Sequence, residues 1–187
     1  MSRLGLNLPN LISLGRLLLV PLAISLILED SYWAAFWVFV VAGVSDTLDG
    51  FIAKRFDRRT RLGALLDPLA DKVLLVSVFV TLGLAGQLWP WLVVLVVFRD
   101  LMIVGGFLLI QALAAMPKGF QPLLVSKINT GVQVAAVGYV LARLGLGAAS
   151  GPVDLVLGMA VAVTTVVSGL IYLVQWARIL ARSEQAL

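Results

Sequence analysis

The sequence predicts an all-α, polytopic membrane protein with six transmembrane helices and both termini on the cytoplasmic side. Three observations carry that expectation. Hydrophobic residues make up 61% of the 187 and charged residues 13%, against roughly 45–50% and 25% in soluble domains, and the mean hydropathy is +1.05. Apolar runs near 9–29, 32–54, 62–85, 88–113, 124–144 and 153–178 match the roughly 20 residues of a bilayer-spanning helix. Basic residues concentrate in alternate connections, as the positive-inside rule requires.

The first run is preceded by Arg3, contains Arg16 and Pro21 and lacks a small-residue cleavage site, so it reads as a retained helix rather than a signal peptide. Its opening, 4–16, sets Asn7, Pro9, Asn10 and Ser13 among leucines. That pattern fits a segment lying in the interface and, equally, an ordinary helix start with Pro9 in the first turn. Polar or Pro/Gly clusters at 29–31, 54–61, 83–90, 117–122 and 144–152 end the first five runs in turn. Six spans with short connections use the whole length, and a single domain over 1–187 is expected.

Arg3, the run Lys54, Arg55, Arg58, Arg59 and Arg61, then Lys118, Lys127, Arg178 and Arg182 mark one side; Arg143 alone lies near the other, with Glu29, Asp30 and Asp154. The first side is therefore cytoplasmic. Trp33, Trp37, Trp89 and Trp91 fall at the opposite ends of spans, where an aromatic belt belongs. The basic cluster 55–61, broken by Asp57, reads first as a topology signal and second as an attractor of anionic lipid. Thr60 reads as a helix cap or a nucleotide contact.

Composition also excludes chemistry. Cysteine and histidine are absent, which removes disulfides, thiolate metal sites, His-ligated zinc and His-based triads. A net charge of +4 in so apolar a chain points to topology and anionic lipid, and no nucleic-acid motif is present.

Four carboxylates, Asp46, Asp49, Asp67 and Asp71, lie within 26 residues of two apolar runs. Each costs at least ~2.5–3.5 kcal/mol at the centre of a bilayer, so cations must compensate them. Asp46 and Asp49 are three apart and Asp67 and Asp71 four apart, so each pair shares a helical face. The short connection makes the two helices antiparallel neighbours, and both pairs are expected at one depth. Hard oxygen donors in that pattern suit a pair of divalent ions, Mg²⁺, Mn²⁺ or Ca²⁺. A proton or cation pathway, or structural pairing with Lys54 and Lys72, explains the same residues. Gly50 and Gly63 fit close approach of a diphosphate as well as close helix packing.

The arrangement Asp46-x-x-Asp49-Gly50-x-x-Ala53-Lys54, eight residues, then Gly63-x-x-x-Asp67-x-x-x-Asp71 resembles the signature of the CDP-alcohol phosphotransferases. Those enzymes carry arginine where this chain has Lys54, which keeps the charge but loses the planar fork that grips phosphate bidentately. The resemblance implies a six-helix, homodimeric transferase that moves a phosphatidyl group from CDP-diacylglycerol to an alcohol and releases CMP. It implies two divalent metal ions, Mg²⁺ or Mn²⁺, on Asp46, Asp49, Asp67 and Asp71, with Asp71 as general base, and nucleotide contacts at Gly50, Ala53, Lys54 and Gly63. A tightly coordinated carboxylate is a poor base, so Asp71 must be loosely bound or the metal must acidify the hydroxyl itself. Gly105, Gly106 and Gly138 are small enough for close contact between helices of two subunits.

The start Asn7-Leu8-Pro9-Asn10-Leu11-Ile12-Ser13-x-x-Arg16, the pair Arg99-Asp100 and the stretch Val125-Ser126-Lys127-Ile128-Asn129-Thr130-Gly131-Val132-Gln133 look most like the cardiolipin synthases of that family. The resemblance then implies phosphatidylglycerol as acceptor. Dianionic glycerol 3-phosphate would want several cations, whereas 101–115 carries no charge. Arg99 and Lys127 are the candidate contacts for the acceptor phosphate; an internal Arg99–Asp100 pair and a topology-setting Lys127 are their structural alternatives. A phosphatidylglycerophosphate synthase using glycerol 3-phosphate, and a cation- or proton-coupled transporter, stay open beside the cardiolipin synthase. With no transit peptide evident, a bacterial inner membrane with the site facing the cytoplasm is expected.

Overall fold

The structure is a computed structural model. It describes the backbone of residues 8–56, 61–113 and 124–184 and the side chains of 15–45, 72–106 and 124–179. Among the described residues it is all-helical: α1 (Leu8–Leu28), α2 (Tyr32–Phe56), α3 (Arg61–Leu84), α4 (Pro90–Leu113), α5 (Leu124–Gly145) and α6 (Pro152–Glu184). α1 begins with Pro9 in its first turn, where a missing N–H costs nothing.

Helix starts and stops follow local chemistry. α1, α3 and α5 all end with a left-handed residue, Asp30 (φ 56°), Gly86 (φ 72°) and Gly147 (φ 66°). In each case the next N–H reaches back five residues, Ser31 to Leu26 O at 2.8 Å, Gln87 to Leu82 O at 2.8 Å and Ala148 to Arg143 O at 3.0 Å. This is the Schellman closure, which satisfies carbonyls that the helix leaves open. Arg143 adds a side-chain bond from Nη1 to Ala148 O at 3.0 Å, a cation at the negative end of α5. α6 opens on Pro152, and the Asp154 carboxylate accepts from the Gly151 N–H at 2.8 Å, the back-bonding half of a capping box.

The helices match the apolar runs within two residues except at the end of α6, which continues to Glu184. The apolar run stops near 178, but Ala177, Arg178, Leu180, Ala181 and Arg182 are strong helix formers. Propensity carries the helix past the hydrophobic boundary. α5 and the stretch Pro152–Ile179 of α6 are each long and apolar enough to cross a membrane, and Gly15–Leu28, Tyr32–Ser45 and Lys72–Leu84 are shorter apolar helices.

The chain forms two compact units. The first comprises residues 1–88 and 137–150, where α1 packs along both α2 and α3. Ala23, Ile27, Ala35, Ala42, Val78, Phe79, Leu82 and Leu141 are buried there, the alanines allowing close helix approach. The second comprises 89–136 and 151–187, built on the contact of α4 with α6. Trp176 lies directly over Gly106, and Trp89 over Gly158, so a Cβ at either glycine would meet an indole ring. Gly106 is therefore occupied within the chain, whereas Gly105 and Gly138 have open space where a side chain would be.

Candidate functional site

α2 carries the backbone of Asp46, Asp49, Gly50, Ala53 and Lys54, and α3 that of Gly63, Asp67 and Asp71. At 3.6 residues per turn, the members of each aspartate pair are within about 60° of one another around their helix. Both helices belong to the first unit. The side chains of these residues lie outside the described ones, as do those that would show whether the two pairs meet. Arg16 on α1, from the same unit, is buried at 2% exposure.

The acceptor-side candidates lie in the second unit. Arg99, in the middle of α4, is 2% exposed. Its Nη1 donates to Asp100 Oδ1 at 2.6 Å; its Nη2 donates to Ser126 Oγ on α5 at 2.8 Å and to Ser168 Oγ on α6. The guanidinium carbon stands 5.9 Å from the centroid of the Tyr172 ring, within cation–π range. The structure thus realises the internal Arg99–Asp100 pair and adds hydroxyls from two further helices. Such pairing is what makes an ion tolerable in an apolar interior. Lys127 is exposed on α5, one residue from the Ser126 that holds Arg99.

One polar cluster was not singled out by the sequence reading. Asn129 is fully buried, and its Oδ1 accepts from Thr165 Oγ1 at 3.0 Å and lies 2.9 Å from Thr164 Oγ1. Gln133, one turn along α5, is 1% exposed. Thr165, Ser168, Tyr172 and Trp176, all buried on α6, recur at intervals of three and four. The available signal was that hydroxyls inside an apolar run fell on one helical face.

The sequence model of the family described as CDP-alcohol phosphatidyltransferase matches residues 6–178. The chain belongs to that family. Among its relatives, the chloroplastic CDP-diacylglycerol–glycerol-3-phosphate 3-phosphatidyltransferase 1 of Oryza sativa is 37% identical over 158 residues, covering 76% of this chain and 48% of its own. The cardiolipin synthases (CMP-forming) of Rattus norvegicus and Homo sapiens are each 34% identical over 151 residues, covering 73% of this chain and 50% of theirs. This CDP-alcohol phosphatidyltransferase chain therefore spans about half the length of the curated relatives it matches. Their names divide between cardiolipin synthase and a glycerol-3-phosphate 3-phosphatidyltransferase.

Proposed function

We propose that the chain acts as a single membrane-embedded domain that transfers the phosphatidyl group of CDP-diacylglycerol to phosphatidylglycerol, giving cardiolipin and CMP. The observation that carries the transferase reading is the spacing of four aspartates on α2 and α3 within a chain matched by the family over 6–178. All six helices are spans in this reading, with both termini and the aspartates at the cytoplasmic side, because the basic residues mark that side. A bacterial inner membrane and a homodimer complete it.

The donor set fits divalent ions. Two carboxylate pairs on helices of one unit, in a chain without cysteine or histidine, supply hard oxygens alone, the ligands that Mg²⁺ and Mn²⁺ prefer. Asp46, Asp49 and Asp67 are assigned as full ligands, and Asp71 as a looser one. Such ions supply charge neutralisation at the diphosphate and at the departing CMP. The acceptor hydroxyl oxygen attacks the phosphatidyl phosphorus, the bond from that phosphorus to the CMP oxygen breaks, and Asp71 takes the hydroxyl proton. Gly50, Ala53 and Gly63 leave room for the nucleotide, and Lys54 pairs with its phosphate as a point charge.

The choice of phosphatidylglycerol is supported by the charge balance of the second unit. Among its described buried groups, the one cationic side chain, Arg99, is already engaged by Asp100, Ser126 and Ser168. A dianionic acceptor would need more positive charge than that, whereas a lipid with one phosphodiester brings its own apolar anchor. The rice relative keeps glycerol 3-phosphate as the second reading.

Purified protein in phospholipid nanodiscs with CDP-diacylglycerol and Mg²⁺ tests both. CMP release with phosphatidylglycerol and not with glycerol 3-phosphate is expected. The reverse would establish the second reading, and ion flux without CMP release would make the chain a transporter.

A further inference from the structure

The first unit buries an arginine on the helix that packs along both of its aspartate-bearing helices. On α1, Arg16, Val20, Ala23 and Ile27 are buried, at intervals of three and four that make one helical face, and α1 packs along α2 and α3. On α2 the buried Ala35, Phe39 and Ala42 follow the same intervals, which run on along the backbone to Asp46 and Asp49. On α3 the buried Leu82, Val78 and Leu75 run on likewise to Asp71 and Asp67. The three helices are level at one end. A tight turn over 29–31 joins α1 to α2, and Tyr32 at the start of α2 shares a side-chain hydrogen bond with Gln87, just past the end of α3. At 1.5 Å per residue from that end, the backbone of Arg16 lies at about 18 Å, Asp71 at about 20 Å and Asp46 at about 21 Å, with Asp49 and Asp67 about one turn deeper.

A guanidinium keeps its charge throughout the pH range of a folded protein, so an arginine in an apolar interior needs carboxylates near it. Glu29 and Asp30 stand at the far end of α1, whereas Asp46 and Asp71 share the level of Arg16 and continue the buried stripes of the helices that α1 packs along. A cation there changes what the aspartates can hold. Four carboxylates balance two divalent ions; with a fixed cation among them they fall one charge short, and the negative charge of a diphosphate makes up the difference. We propose that Arg16 is the fixed cation of the aspartate site, a positioning residue that holds the carboxylates before the ions bind and keeps the second divalent ion out until the diphosphate of the donor arrives. This rests on the aspartates being a divalent-ion site and adds the residue that ties its loading to donor binding.

The test counts bound Mn²⁺ by electron paramagnetic resonance on the full chain in phosphatidylcholine nanodiscs, with and without CDP-diacylglycerol, against empty discs of the same lipid. No acceptor is present, so the readout does not depend on turnover. The wild type is expected to hold fewer ions without the donor than with it. Arg16→Gln is expected to bind Mn²⁺ at least about tenfold more tightly without the donor and to reach its full count there. Arg16→Lys, which keeps the charge, should behave as the wild type does. A role confined to helix packing predicts the opposite, since a loosened α1 would weaken the ion site. Mn²⁺ bound equally or more weakly by Arg16→Gln therefore overturns the proposal and leaves that packing role. A wild-type count that is the same, and not zero, in both states overturns it even if both variants fail to fold. If the wild type binds no Mn²⁺ in either state, the divalent-ion reading of the aspartates itself fails, and the role of Arg16 with it.

Discussion

The two units use their polar groups differently. Among the described residues of the first, several side-chain hydrogen bonds close locally, Ser25 to Leu22 O, Thr81 to Ser77 O and Arg143 to Ala148 O. In the second a set of them crosses between helices, from Arg99 on α4 to Ser126 and Ser168, and from Thr165 on α6 to Asn129 on α5. Local bonds cap helices or bond back to their own turns and say little about neighbours. Bonds between helices fix which residues face each other, and in lipid they replace a hydrophobic drive that the acyl chains cannot provide. The described core of the first unit is apolar, and the second adds a polar seam between its helices.

That contrast is open to direct attack, and the largest effect should come from the charged signature. Asp67→Asn is expected to lower CMP release to below about a thousandth of wild type, the scale of losing metal-borne charge stabilisation. The protein should still elute as the wild type does, because carboxylate repulsion is relieved even as metal binding is lost. Retained activity would contradict the metal assignment. Chelation should produce the same loss, reversed by Mg²⁺ or Mn²⁺, and turnover that survives exhaustive chelation would refute metal dependence outright.

The seam comes next. Arg99→Leu removes the cation bonded to the buried Asp100 carboxylate and is expected to cost about 3–5 kcal/mol, whereas Arg99→Leu with Asp100→Leu removes both charges and should recover much of it. Denaturant titration of the single and double variants measures the difference; if the double variant is as unstable as the single, the pair is not the reason. Gly106→Val drives a side chain into the Trp176 ring and should cost about 1–3 kcal/mol by overpacking, seen as a lower thermal midpoint. The smallest effect separates the two kinds of bond. Thr165→Val should cost about 1 kcal/mol through its lost cross-helix bond, and Thr81→Val, whose hydroxyl bonds within its own helix, less than that.

Much of the architecture was legible because hydrophobic length and helix punctuation are properties of contiguous sequence. The starts at Tyr32 and Leu124 coincide with the predicted runs, and Asp30, Gly86 and Gly147 stop helices at the expected breakers. The extension of α6 to Glu184 was not foreseen, since the apolar run ended earlier while helix propensity did not. Of the site residues, the aspartates on α2 and α3 stood out because charge is rare in apolar runs. Thr164, Thr165 and Ser168 did not, because a hydroxyl is common in such runs and is easily satisfied by its own helix. Arg99 was seen as either a phosphate contact or half of an internal pair, and Asp100, Ser126 and Ser168 show the paired state.

The sequence by itself determined the helices, their caps, the family and the four aspartates at helical spacing, since each depends on neighbours within a turn or on charge within an apolar run. Only the tertiary structure decided that Arg99 is held by Asp100, Ser126 and Ser168, that Gly106 is filled by Trp176, and that the amides of Asn129 and Gln133 are buried between helices. Those facts join residues 27 to 70 positions apart, and whether a buried polar group is satisfied depends on what the other helices bring to it.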